Sequence, residues 1–229
     1  MVMRKTILCL SLILCHLSFC VAQDRAEVLM ETSEGNIRIQ LYNETPKHRD
    51  NFLQLVKAHY YASLTFHRVI KDFMVQGGKR DANSPNAPNT QHLTPSTQHL
   101  TPSTQTIEAE FRTPQLFHKR GALAAAREGD DVNPERRSSP TQFYFVWGRK
   151  YSERAMEFTE NRLNLQLTPE QREAYMTIGG TPHLDGTYTV FGEIVEGLDV
   201  VERMQAAATD DADRPLQPIY ILRATVVRE

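Results

Sequence analysis

Hydrophobic and polar positions begin to alternate shortly after residue 26, and the pattern recurs to the end of the chain. Val28, Leu29 and Met30 lead into Gly35-Asn36, after which Ile37, Ile39 and Leu41 alternate with Arg38, Gln40 and Tyr42. This predicts a hairpin with one buried face. Thr45-Pro46 reads as a helix N-cap followed by proline at the first helical position, and Phe52, Leu55, Val56 and His59 follow at helical spacing. Phe66, Arg68 and Ile70 alternate with His67, Val69 and Lys71, which predicts a strand with Arg68 beside apolar neighbours. A second run, Phe73 to Gln76, is closed by Gly77-Gly78. Further strands are expected over Gly121–Arg127, rich in small residues, and Thr141–Val146. In the latter, Gln142 and Tyr144 share one face, Phe143 and Phe145 the other.

Residues 148–182 read as an inserted pair of helices. Ser152 caps the first, with Met156, Phe158 and Leu163 as its apolar positions. Thr168-Pro169-Glu170-Gln171 opens the second as a capping box, and Gly179-Gly180 stops it. A last helix over 197–207 carries Leu198, Val201 and Met204 on one stripe, and Ile219–Val227 is the closing strand. Strands flank the helices without βαβ regularity, so the pattern predicts a mainly β, mostly antiparallel barrel.

The start of the chain departs from this pattern. Arg4 and Lys5 precede an apolar run, Ile7 to Phe19, too short to span a membrane, and Cys20-Val21-Ala22 supplies small residues. Residues 1–22 read as a signal peptide cleaved after Ala22, which makes the protein exported and periplasmic. Lipid attachment at Cys20 is the second route, disfavoured by the bulky Phe19. All three cysteines (Cys9, Cys15, Cys20) lie in this segment, so the mature chain has no thiol and needs no disulfide. Loss of Arg4 and Lys5 reduces 26 basic residues to 24 against 28 acidic ones, a net charge of −4. That balance argues against nucleic acid and anionic lipid as partners.

Between 79 and 106 lies a loop insertion. Thr90-Gln91-His92-Leu93-Thr94-Pro95-Ser96 recurs as residues 97–103. A proline and only one apolar residue in each copy exclude a helical heptad, and without regular structure His92 and His99 make no metal site. Asp210-Asp211-Ala212-Asp213 reads as a solvated acidic turn rather than a calcium site.

The chemistry concentrates in Phe66-His67-Arg68-Val69-Ile70-Lys71-Asp72-Phe73-Met74-Val75-Gln76-Gly77-Gly78. Arg68, Phe73, Met74 and Gln76 combine one cation, one amide and two soft apolar groups. They offer no nucleophile, no carboxylate pair and no metal cluster, but they suit an uncharged hydrophobic group with one amide to polarise. Phe-His-Arg-Val-Ile-x-x-Phe-Met-x-Gln-Gly-Gly resembles the signature of the cyclophilin-type peptidyl-prolyl cis-trans isomerases. Thr141-Gln142-Phe143-Tyr144-Phe145 and His183-Leu184-Asp185-Gly186-Thr187-Tyr188 are similar to two further family segments.

The resemblance implies a domain over 26–229, built as a closed eight-stranded antiparallel barrel capped by two helices, with the substrate groove outside. It implies rotation of Xaa-Pro bonds without cofactor or metal. Arg68 and Gln76 would be catalytic, Gln76 holding the Arg68 guanidinium through a hydrogen bond. Phe73, Met74, Tyr144 and Leu184 would grip the proline ring, Ala126 and Gln142 would hold the flanking peptide, and His183 and Tyr188 would rim the site. Where the family usually has Trp, His and Phe, this chain has His183, Tyr188 and Tyr144, so weak cyclosporin binding is expected. The partners implied are proline-containing polypeptides of the exported proteome, met by a monomer. A proline-binding chaperone or scaffold with little turnover is the alternative.

Overall fold

The computed structural model describes residues 24–80 and 105–229; the expected signal segment and the seven-residue repeats lie outside them. Eight strands form one antiparallel sheet: β1 Glu27–Thr32, β2 Gly35–Leu41, β3 Arg68–Ile70, β4 Met74–Gly77, β5 Ala122–Ala125, β6 Phe143–Val146, β7 Val190–Glu196 and β8 Ile221–Arg228. Their order across the sheet is β3-β4-β6-β5-β7-β2-β1-β8. Four helices accompany it: α1 Pro46–Lys57, α2 Glu153–Leu163, α3 Pro169–Thr177 and α4 Leu198–Gln205.

The expected closed barrel is corrected to a curled, open half-barrel. β3 and β8 are the two edges, and between them stands only a single bridge, Thr65 with Tyr220. β3 is three residues long, too short for a ladder along the eight-residue β8. The seam is instead stitched by separate backbone bonds, Phe66 N–H to Ile219 O and Val69 N–H to Asp213 O. The N–H groups of Phe66 and Val69 thereby find acceptors outside a ladder.

Period-2 burial makes two clusters. Ile37, Ile39 and Leu41 of β2, Leu123 of β5, and Phe143 and Phe145 of β6 face inward, where Phe52 and Val56 of α1 and Val201 and Met204 of α4 press on them. Tyr144 and Val146 point outward and join Met74, Ala124 and Val190 in a second cluster. β5 and β6 are buried at every position because that outer face is covered as well. The expected stripe of α4 is shifted: Val200 joins Val201 and Met204 inside, while Leu198 is partly exposed. Gly197 precedes α4 at φ +88°, and a Cβ there would lie 2.2 Å from Asn36 O. Only glycine fits that turn.

The inserted helices begin as expected. Ser152 accepts from Ala155 N–H, and Thr168 and Gln171 complete a reciprocal capping box. Met156 is buried, but Phe158 is 65 % exposed, so α2 turns less of its apolar side inward than its spacing suggests. At α1 Thr45 is the N-cap and Pro46 the first helical residue, as expected, but the side-chain bond of the cap is absent. The Thr45 hydroxyl instead donates to Tyr42 O. Glu110 takes the role, accepting from the backbone N–H groups of Lys47 and His48 at 3.2 and 3.0 Å. It also meets His48 Nδ1 at 2.7 Å, and His48 Nε2 reaches Ser138 Oγ at 2.9 Å. A carboxylate at a helix N-terminus satisfies orphan donors and matches the dipole.

Candidate active site

The turn between β3 and β4 sets the site. Asp72 sits in the left-handed region at φ +59°, with its N–H on Gln205 Oε1 of α4. That turn pairs Arg68 directly opposite Gln76 and Ile70 opposite Met74. Arg68 and Ile70 point outward, as expected, but Phe66 and Val69 are both buried inside. The alternation slips by one position between them, so Phe66 is not on the face of Arg68 as the sequence pattern implied.

Beside this edge lies a concavity of about 150 Å³ lined by Arg68, Phe73, Met74, Gln76, Ala126, Arg127, Tyr144, Leu184 and Tyr188. Eight of the ten expected residues therefore meet in one place. Gln142 lines a larger adjoining cavity together with Gln76 and Ala126. His183 does not line the concavity; it is exposed and stacks on Phe73, with ring centroids 5.5 Å apart. Partial desolvation on that ring, with the neighbouring His118, pushes the His183 pKa below its ordinary value, so the imidazole is neutral at pH 7.

The hydrogen bonds differ from those expected. Gln76 Nε2 donates to Gln142 Oε1 at 3.2 Å, and Arg68 donates to Asp213 instead of to the Gln76 amide oxygen. The Arg68 guanidinium is oriented by Asp213, its Nε donating to Oδ2 at 3.1 Å. Asp213 belongs to the acidic turn, which docks on β3 through Val69 N–H and is folded by Asp210 accepting from Ala212 and Arg214 N–H. The sequence reading of a solvated turn missed this contact. With 145 residues separating the partners, nothing local signals it.

Two further residues were missed. Arg127 lies over the Tyr188 ring at 4.3 Å, with Nε on Thr187 O at 2.8 Å, and so fixes that rim. His118 Nε2 is 3.1 Å from the Tyr144 hydroxyl. Burial, with nearby Tyr188 and Asp185, raises the Tyr144 pKa well above its usual value, so the hydroxyl remains neutral.

The arrangement is a slot with apolar walls of Phe73, Met74, Tyr144 and Leu184, and with the guanidinium groups of Arg68 and Arg127 in its lining. It can desolvate a small ring and polarise an adjoining amide. Among the described residues no group of three or more His, Cys, Asp or Glu is placed to hold a metal, and no helix is long and apolar enough to cross a membrane.

Known proteins resemble the whole domain. The family model for cyclophilin type peptidyl-prolyl cis-trans isomerase/CLD matches residues 27–226. The peptidyl-prolyl cis-trans isomerase ppi1 of Schizosaccharomyces pombe is 30% identical over 203 residues, 88% of this chain and 99% of that protein. A Staphylococcus aureus (strain COL) protein, provisionally assigned the same activity, is 32% identical over 207 residues, 88% of this chain and 91% of that one. A Cryptosporidium parvum cyclophilin type isomerase superposes with a TM-score of 0.61 at 19% identity, covering 90% of this chain and 99% of that one. A second structure of that isomerase, determined in the presence of the dipeptide Ala-Pro, gives 0.59 at the same identity, covering 89% and 99%. With the family model matched over nearly the whole described domain and two relatives at this identity, the chain belongs to the cyclophilin-type peptidyl-prolyl cis-trans isomerases.

Proposed function

We propose that this isomerase rotates Xaa-Pro bonds in the slot beside β3 and β4 and assists the folding of exported proteins in the periplasm. The observation that carries the site is the convergence of Arg68 with Phe73, Met74, Tyr144 and Leu184 on one small concavity. Rotation about Xaa-Pro has a barrier of about 18–20 kcal/mol and takes tens to hundreds of seconds unaided. Twisting breaks amide resonance and exposes the nitrogen lone pair in the transition state alone. A guanidinium aimed there stabilises that state more than either ground state, as catalysis requires. In this reading Asp213 orients the guanidinium and Met74 and Tyr144 form the floor under the proline ring. Gln76, Gln142 and the Ala126 backbone hold the flanking peptide. Export rests on residues 1–22, whose charged start, apolar run and small-residue end have the form of a cleavable signal.

His183 supplies the test that bears on ligand range. The family's Trp at this place offers an indole N–H and a broad apolar face to cyclosporin. A neutral imidazole keeps one donor but covers less area, and burial counts at roughly 25 cal/mol per Å². Short peptides depend mainly on the slot itself. His183→Trp should therefore tighten cyclosporin by about tenfold while raising peptide turnover less than about twofold. Parallel inhibition and turnover curves for parent and variant decide this. Equal gains in both quantities, or nanomolar inhibition of the parent, would contradict this account of the rim.

A further inference from the structure

The inserted helices line no part of the slot, yet one face of α3 is buried and polar. Gln171 is 1% and Tyr175 0% exposed, and both donate to the same carboxylate oxygen. The Tyr175 hydroxyl reaches Asp185 Oδ2 at 2.6 Å and Gln171 Nε2 reaches it at 3.3 Å. Asp185 Oδ1 accepts from the His118 backbone N–H at 2.9 Å and meets His118 Nδ1, also at 2.9 Å. With Nδ1 donating to Asp185, Nε2 is left to accept from the Tyr144 hydroxyl.

Asp185 is therefore tied to two walls of the slot. Covalently it follows Leu184 and closes the short turn Pro182–Leu184, its N–H on Pro182 O. Through His118 it holds Tyr144. We propose that the helical insertion is a positioning element for the proline slot: Gln171 and Tyr175 fix Asp185, and Asp185 sets the Leu184 wall and, through His118, the Tyr144 floor. This rests on the reading of Leu184 and Tyr144 as residues that grip the ring. It gives the insertion a part in substrate fit, and makes the Tyr144 hydroxyl the receiving end of a chain of buried bonds. Such networks act as units, so removal of one link is felt at the others.

The test is a double-mutant cycle on Tyr175→Phe and Tyr144→Phe, each of which removes one hydroxyl and little volume. An Xaa-Pro tetrapeptide is titrated by NMR for Kd, and kcat is measured in the same samples. Tyr175→Phe should weaken the peptide Kd about threefold to tenfold with kcat within about twofold. In the Tyr144→Phe background, where the link through His118 is already gone, Tyr175→Phe should weaken Kd by clearly less than it does in the parent, the remainder coming through the Leu184 wall. An unchanged Kd in Tyr175→Phe, or the same loss in both backgrounds, overturns the proposal, since a merely structural clasp is indifferent to the Tyr144 hydroxyl. Gln171→Met, read the same way, serves if Tyr175→Phe does not fold. Leu184→Ala separates the two levels. If it weakens the peptide while Tyr175→Phe does not, only the role of the insertion falls. If it leaves Kd unchanged in an active parent, the ring-gripping reading falls and the proposal with it.

Discussion

Arg68→Ala lowers kcat/KM for a short Xaa-Pro peptide by at least about tenfold, roughly 1.4 kcal/mol of transition-state stabilisation, and leaves the fold intact. Both halves of that expectation come from the geometry. Arg68 is the cation lining the slot on its β3 side, and its side chain is 46% exposed, so no buried partner is orphaned by its loss. Its ion pair with Asp213 is also exposed, and such pairs contribute no more than about 1 kcal/mol to stability. Asp213→Asn leaves the guanidinium in place but releases its orientation, so a smaller loss of about twofold to fivefold is expected, in kcat more than KM. Steady-state kinetics of the three proteins, with thermal melts as the check on folding, test the assignment. A folded Arg68→Ala protein working at the parent rate would sink it.

Glu110→Ala should be the most damaging change outside the slot. Burial works against the Glu110 charge, but the bonds from the His48 ring and from the backbone of His48 and Lys47 outweigh it and hold the pKa below its ordinary 4.5. Removing the carboxylate takes the acceptor from the start of α1 and the partner from Nδ1 of the buried His48. The expected cost is about 3 kcal/mol, or roughly 6–12 °C in melting temperature for a domain of this size. The pH dependence has a definite sign. A group whose pKa is depressed by folding contributes stability above its unfolded pKa and loses it as pH falls through the folded value. The gap between parent and Glu110→Gln should therefore be widest near neutrality and narrow as the pH falls through the folded pKa, which lies below 4.5. A gap that stays constant between pH 3 and pH 7, or a melting shift under about 2 °C for Glu110→Ala, would show that the contact is incidental.

What was legible in the chain is what local pattern encodes. The hairpin of β1 and β2, the split of Phe143 and Phe145 from Tyr144, and the N-caps of the two inserted helices are all written within a few residues. The string from Phe66 to Gly78 brought Arg68, Phe73, Met74 and Gln76 to one slot because strand pairing across a short turn is itself local. What escaped was decided across distance. Glu110 replaces the Thr45 side chain as the acceptor at the start of α1 from 62 residues away, and Asp213 replaces Gln76 as the partner of Arg68. Asp185, seen only as part of a turn, gathers donors from α3 and from His118. The barrel stays open because β3 is cut to three residues by the slip between Phe66 and Val69, a register change that alternation alone does not reveal.

The central claim is that Xaa-Pro bonds turn over in the slot beside Arg68. It is tested most directly by NMR exchange spectroscopy on an Xaa-Pro peptide with a catalytic amount of the chain from residue 23 onward. The account predicts cis–trans exchange accelerated well beyond the uncatalysed tens to hundreds of seconds, with shift changes at the Met74 methyl and Tyr144 ring, and little acceleration by Arg68→Ala. Exchange at the uncatalysed rate, or full acceleration with no response from Met74 and Tyr144, would contradict it.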